Sequence, residues 1–259
     1  MRIVQPLSHS ACRVLVGEDQ AVLAREAAER LVVAAQQAMT RVGRFTIALA
    51  GGSTPKPLYA LLTTEPYRTR VPWPQTHVFW GDERTVPPDH TDSNFAMAMA
   101  TLLGHVPIPP EQIYRMPAER ADLDAAACEY EAEIARRFAV QPTGKPPAFD
   151  LILLGLGTDG HTASLFPHSQ ALRETRRWVV ANAVPQWATV RLTLTAPILN
   201  RGAMILFLVA GADKAPVLRE VLEGPADPER LPAQLIRPRE GHLLWLVDRA
   251  AAGQLSKTP

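Results

Sequence analysis

Apolar residues follow two rhythms along this chain. Between Asp19 and Val42 they recur every few positions, so that Val22, Ala27, Leu31, Ala34, Ala38 and Val42 mark one stripe of an amphipathic helix. Asp19 is placed to cap that helix, and Gly43 to stop it in a left-handed conformation. The pattern then changes to a short unbroken apolar run, Phe45–Ala50, which ends on Gly51-Gly52. The same succession returns at Thr76–Trp80 before Gly81, Phe149–Leu154 before Gly155 and Ala203–Ala210 before Gly211. Such runs suit strands buried on both faces of a sheet. Helical patterns separate them at Pro55–Leu62, Ser93–Leu103, Asp122–Ala139 and Ala212–Leu222. Further strands are expected at Trp178–Ala183 and Val190–Thr195, and a last one, His242–Val247, leads into a short helix from Asp248. Strand alternating with helix predicts an α/β fold: a mainly parallel, Rossmann-like sheet flanked by helices on both faces.

The polar insertions fall at telling places. GGST follows FTIALA, GDER follows THVFW, GLGTDGH follows FDLILL and GADK follows AMILFLVA. In a parallel sheet ligands bind beyond the carboxyl ends of the strands, so these segments are expected to converge on one rim.

Composition narrows what that rim binds. The 259 residues suffice for a large core, and the 24 prolines cluster between apolar runs without forming an interdomain linker. One domain over residues 1–259 is expected. With 27 basic against 26 acidic residues the net charge is +1, so no long-range field exists to hold nucleic acid. Any bound anion must be small and gripped locally. The longest strongly apolar run, Ala203–Ala212, is about half a membrane span, and the N-terminus MRIVQPLSHSACRV lacks a secretory apolar stretch. No membrane partner is expected. Cys12 and Cys128 fit neither a disulfide framework nor a zinc motif, and read as buried thiols of a cytoplasmic protein.

Each motif has its own chemistry. In Gly51-Gly52-Ser53-Thr54-Pro55 the glycines allow close backbone approach, and Ser53 or Thr54 can cap a helix that Pro55 opens, a ready phosphate site. Arg84 in Gly81-Asp82-Glu83-Arg84 can grip a phosphate bidentately, while Asp82 or Glu83 can serve as a base or orient a sugar hydroxyl. Gly155–His161 matches GxGxxG, but the following stretch contains Pro167 and does not read as a packed helix, which disfavours a dinucleotide site. The loop instead presents Asp159 and His161, and histidine can accept and return a proton at neutral pH. Lys214 falls in the first turn of a helix, where a cation opposes the dipole unless an anion is near. Arg191 lies in an alternating strand and faces either the rim or solvent. None of the seven histidines, His9 included, has metal-ligand spacing, and no GxSxG elbow is present. What remains suits noncovalent acid/base work on a small phosphorylated substrate, with no cofactor and no metal.

These segments resemble the 6-phosphogluconolactonases. The similarity lies in AGGSTP (Ala50–Pro55), WGDERTVP (Trp80–Pro87) with Ser93-Asn94, LGLGTDGHTASLFP (Leu154–Pro167), Arg191-Leu192-Thr193, GADKA (Gly211–Ala215) and the ending HLLWLVDRAAA. The resemblance implies the fold of sugar-phosphate isomerases and glucosamine-6-phosphate deaminases. It also implies hydrolysis of 6-phosphoglucono-δ-lactone in the pentose phosphate pathway by a monomer or small homo-oligomer. His161 would then be the general base, with Asp159 or Asp82 orienting it or the sugar hydroxyls. Gly51, Gly52, Ser53, Thr54, Arg84 and Lys214, with Arg191 as a further candidate, would hold the phosphate. Two alternatives stand beside it: a deaminase or isomerase on the same scaffold, and a noncatalytic sugar-phosphate sensor. In deaminases a carboxylate follows the loop histidine closely, whereas here no acid follows His161 before Glu174.

Overall fold

The computed structural model describes residues 2–4, 12–142 and 144–256; His9 lies outside them. In chain order the strands are β1 (Arg2–Val4), β2 (Cys12–Gly17), β3 (Phe45–Leu49), β4 (Thr76–Trp80), β5 (Asp82–Arg84), β6 (Leu151–Gly155), β7 (Val179–Val184), β8 (Thr189–Leu194), β9 (Met204–Val209) and β10 (His242–Asp248). The helices are α1 (Gln20–Val42), α2 (Lys56–Leu62), α3 (Tyr67–Arg70), α4 (Asn94–Thr101), α5 (Leu123–Phe138), α6 (Ala196–Leu199) and α7 (Ala215–Glu223).

The main sheet has the order β1-β2-β10-β9-β6-β3-β4, parallel throughout except for β1, which pairs antiparallel at the edge. Alternating side chains of its strands enter different cores. Ile47, Leu49, Leu151, Leu153, Leu206 and Leu208 pack under α1, α2 and α4, while Ile152, Leu154, Ile205, Phe207 and Trp245 pack under α5 and α7. Helices therefore cover both faces, as continuous apolar strands require.

The longest helix shows how local signals set these boundaries. The Asp19 carboxylate accepts from the Val22 amide at 2.8 Å, and Gly43, at φ 70°, donates to Met39 O at 3.0 Å. Its buried face is broader than the expected stripe, taking in Leu23, Ala24, Ala28, Val32 and Ala35, while Val42 is exposed. Asp122 and Ser93 cap α5 and α4 in the same way. The final turn is a 3₁₀ segment, Ala251–Gln254, tied by the Ala251 amide donating to Asp248 Oδ1 at 2.7 Å.

Two expectations are corrected. Neither Ser53 nor Thr54 caps α2 through its side chain; Pro55 occupies the cap, and Lys56 N donates to the Ser53 carbonyl at 3.2 Å. Cys128 is exposed and Cys12 only partly buried, because Cys128 stands beside Arg177 on the outer side of α5. The GDER segment adds an element that was not expected. It forms β5, which joins β8 and β7 in a separate antiparallel sheet of order β5-β8-β7, and Leu194 N donates to Gly81 O at 2.8 Å where this sheet meets the end of β4.

Candidate active site

The four strands that carry the polar segments, β9, β6, β3 and β4, are consecutive neighbours in the sheet. The chain leaves β3 for β4 on one side and enters β6 and then β9 on the other, so connectivity reverses between β3 and β6. A crevice is expected at that reversal, beyond the carboxyl ends. A cleft of about 410 Å³ lies there. Gly51, Gly52, Ser53, Thr54, Asp82, Arg84, His161, Arg191 and Lys214 all line it. Its volume falls in the range of small-molecule sites.

His161 is held from two directions. Its Nδ1 lies 2.5 Å from Asp159 Oδ1, and its own amide donates to the same oxygen at 3.1 Å. Nδ1 being engaged, Nε2 is the nitrogen free to meet a ligand. Burial pushes the Asp159 carboxyl up, but hydrogen bonding and charge from His161 outweigh it and leave the group below the usual aspartate range. Gly157 makes room for the pair: a Cβ there would overlap His161 Nδ1 and Cε1 and stand 2.6 Å from Asp159 Oδ1. Asp159, not Asp82, is thus the carboxylate on the imidazole.

Asp82 is buried elsewhere on the cleft wall. Ser164 Oγ donates to its Oδ2 at 2.7 Å, and Asn94 Nδ2 reaches its carbonyl at 2.9 Å and its Oδ1 at 3.3 Å. Glu83 points the other way and clamps the start of α4. It accepts from the amides of Arg84, Asn94 and Phe95 at 2.7–2.8 Å and from Ser93 Oγ at 3.1 Å. Burial nevertheless holds the Glu83 carboxyl above the usual range, against those amide donors. With its oxygens occupied by backbone, Glu83 drops out as a base or hydroxyl partner.

Arg84 and Arg191 face each other across the β5–β8 ladder. Arg84 Nη1 donates to the Asp92 carbonyl at 2.6 Å, and Arg191 Nη1 to Thr189 Oγ1 at 3.1 Å. Among the described residues neither guanidinium has a carboxylate within ion-pair distance. Burial, then the neighbouring Arg84 charge, push the Arg191 guanidinium below its usual value. Lys214 lines the same cleft, its Nζ 3.3 Å from Asp213 Oδ2, an anion beside a cation at a helix start. Gly51 packs so closely on Asn94 that a Cβ would overlap its amide, and Gly52 has φ 83°. This pair leaves Ser53 exposed at the mouth.

Two aromatic residues that sequence reasoning did not single out complete the cleft. Phe166 packs on the His161 ring at 4.3 Å between centroids, and Trp187 meets both rings edge-on at 4.8 and 6.0 Å. The sequence offered a signal for the second, a tryptophan in the Pro185–Trp187 turn between two strands, where core burial is not available. Among the described residues no cluster of three or more His, Cys, Asp and Glu could hold a metal ion, and no helix is long and apolar enough to cross a membrane.

This architecture has close relatives. The chain is 49% identical to a 6-phosphogluconolactonase of Synechocystis over 85% of its own length and 88% of the relative's. It is 42% identical to a 6-phosphogluconolactonase of Nostoc over 92% and 96%. The solved 6-phosphogluconolactonase of Trypanosoma cruzi superposes with a TM-score of 0.82 at 30% identity, covering 94% of this chain and 96% of that one. The family model of glucosamine-6-phosphate isomerases/6-phosphogluconolactonase matches residues 18–245, which takes in β3 to β9 and every cleft residue named above, and the chain belongs to that family.

Proposed function

We propose that this chain hydrolyses 6-phospho-D-glucono-1,5-lactone to 6-phospho-D-gluconate, the lactone-opening step of the oxidative pentose phosphate pathway, as a carboxylic ester hydrolase. The observation that carries the reading is the pairing, within one cleft, of a carboxylate-held imidazole with two guanidiniums that have no carboxylate partner among the described residues. The first suits water activation and the second suits a phosphate.

A δ-lactone is an activated ester, so catalysis needs a nucleophilic water and a proton for the departing ring oxygen. His161 Nε2 takes a proton from water as the oxygen adds to the lactone carbonyl. The tetrahedral intermediate then collapses, the bond from C1 to the ring oxygen breaks, and the imidazolium returns the proton to that oxygen as it becomes the C5 hydroxyl. Asp159 fixes the ring tautomer and stabilises the imidazolium. Asp82, already oriented by Ser164 and Asn94, accepts from a sugar hydroxyl. Arg84, Arg191 and Lys214, with the hydroxyls of Ser53 and Thr54 and the backbone of Gly51-Gly52, bind the phosphate. No step draws on a metal or organic cofactor. Two thiols that are not joined in a disulfide support a reducing, cytoplasmic setting.

The test follows lactone loss against spontaneous hydrolysis. Wild type accelerates it, and His161→Ala lowers kcat by about 10²–10⁴-fold with KM little changed. Absence of acceleration by wild type, or full activity in the alanine variant, overturns the reading; turnover of glucosamine 6-phosphate in its place would favour the deaminase alternative.

A further inference from the structure

Trp187 is a large cleft residue for which neither proton transfer nor phosphate binding has a use. Of the five tryptophans, Trp73, Trp80, Trp178 and Trp245 are exposed by 3% or less, whereas Trp187 is 52% exposed. An indole left this wet at the wall of a ligand cleft signals a surface that something covers. The turn that bears Trp187 ends on Ala188, in the left-handed region at φ 47°, whose amide donates to Pro185 O at 3.1 Å. Phe166, only 2% exposed, backs the indole edge-on at 4.8 Å and also supports the His161 ring. The same hairpin carries Arg191 on β8, so indole and guanidinium reach the cleft from one element.

We infer that Trp187 is a specificity-determining residue that forms the apolar wall of the sugar-ring subsite, its indole packing on the C–H face of the pyranose. The inference rests on the lactonase reading for the identity of the sugar, and it adds a means of recognising the ring itself. Hydrogen bonds to Asp82 and cations on the phosphate define the polar edges of the ligand. A pyranose also has an apolar face, and an aromatic surface is the group that binds it while shedding water. Covering Trp187 in this way also narrows solvent access to His161, which stands 6.0 Å away.

Because the other four indoles are buried, quenching by acrylamide reports on Trp187 almost alone. The probe is glucose 6-phosphate, a pyranose phosphate with no ester to open, at concentrations that calorimetry shows to be saturating. It should lower the quenching constant on the order of twofold, and inorganic phosphate at equal ionic strength should leave it unchanged. Failure of glucose 6-phosphate to bind, no protection by it, or equal protection by phosphate alone overturns the inference. Kinetics give the second readout. Trp187→Phe should stay within about threefold of wild-type kcat/KM, and Trp187→Ala should lose roughly tenfold, equal to ~1.4 kcal/mol. Wild-type kcat/KM in a folded alanine variant, or equal losses in both variants, overturns it too. Wild type that protects Trp187 but turns over no lactone would sink the lactonase reading and leave the sugar subsite standing.

Discussion

At the scale of single residues, the chemistry of the cleft depends on what Gly157 lacks. A methyl group there would occupy the space of the His161 imidazole and crowd Asp159. The glycine backbone is not in the left-handed region, so alanine brings a steric cost to the site and no backbone strain. Gly157→Ala should therefore fold with near-wild-type stability while the imidazole is pushed off Asp159. Misplacement by about an ångström costs on the order of 100-fold in rate, so kcat should fall by that much with a smaller change in KM. Steady-state kinetics beside a thermal melt checks both halves, and a variant with normal kcat would show that the ring tolerates a new position. The sequence showed that a histidine and an aspartate share this loop, but not that they bond. That contact depends on the turn at Gly160, at φ 84°, which brings positions 159 and 161 to one side.

At the scale of elements, strands buried on both faces and capped helices were legible because their signals are local: β4 runs from Thr76 to Trp80 as the apolar run predicts, and Asp19 and Gly43 bound α1. The second sheet was not legible as a sheet. β7 and β8 could be read singly, but β5 is only three residues long, and its pairing with β8 depends on chain more than 100 positions away. Arg191 illustrates the consequence. Its facing is a matter of strand parity, and only the register opposite Arg84 decides it. An element-scale prediction concerns β4. His77 on this edge strand bonds Tyr114 through Nδ1 at 2.9 Å, and burial, then the charges of Arg44 and Arg137, push it below the usual histidine value. The folded state thus refuses a proton that the unfolded chain accepts. Stability from this group is present above the ordinary histidine range and is lost as pH falls through the depressed folded value. Urea midpoints between about pH 7 and pH 5 should fall more steeply in wild type than in His77→Gln. Parallel slopes would mean that His77 titrates alike in both states.

At the scale of the whole molecule, a net charge of +1 leaves the proposed phosphate recognition to the placement of a few cations. Arg84 reaches the cleft from β5, Arg191 from β8, and Lys214 from the turn after β9, so three distant stretches of chain supply one positive wall. Because Arg84 is oriented through the Asp92 carbonyl and not spent on a carboxylate, its charge is available to the ligand. Loss of a charged hydrogen bond costs about 1.5–3 kcal/mol, or roughly 10- to 150-fold. Arg84→Ala should accordingly raise KM for the phosphorylated lactone by a factor in that range, with kcat less affected, since the guanidinium binds ground and transition states alike. Unphosphorylated gluconolactone, which offers nothing for it to grip, should show a much smaller change. Raising salt should weaken the phosphorylated substrate more than the neutral one in wild type, and this difference should shrink in the variant. Equal losses on the two substrates would show that Arg84 shapes the cleft and does not read the phosphate, and the cationic wall would then reduce to Arg191 and Lys214.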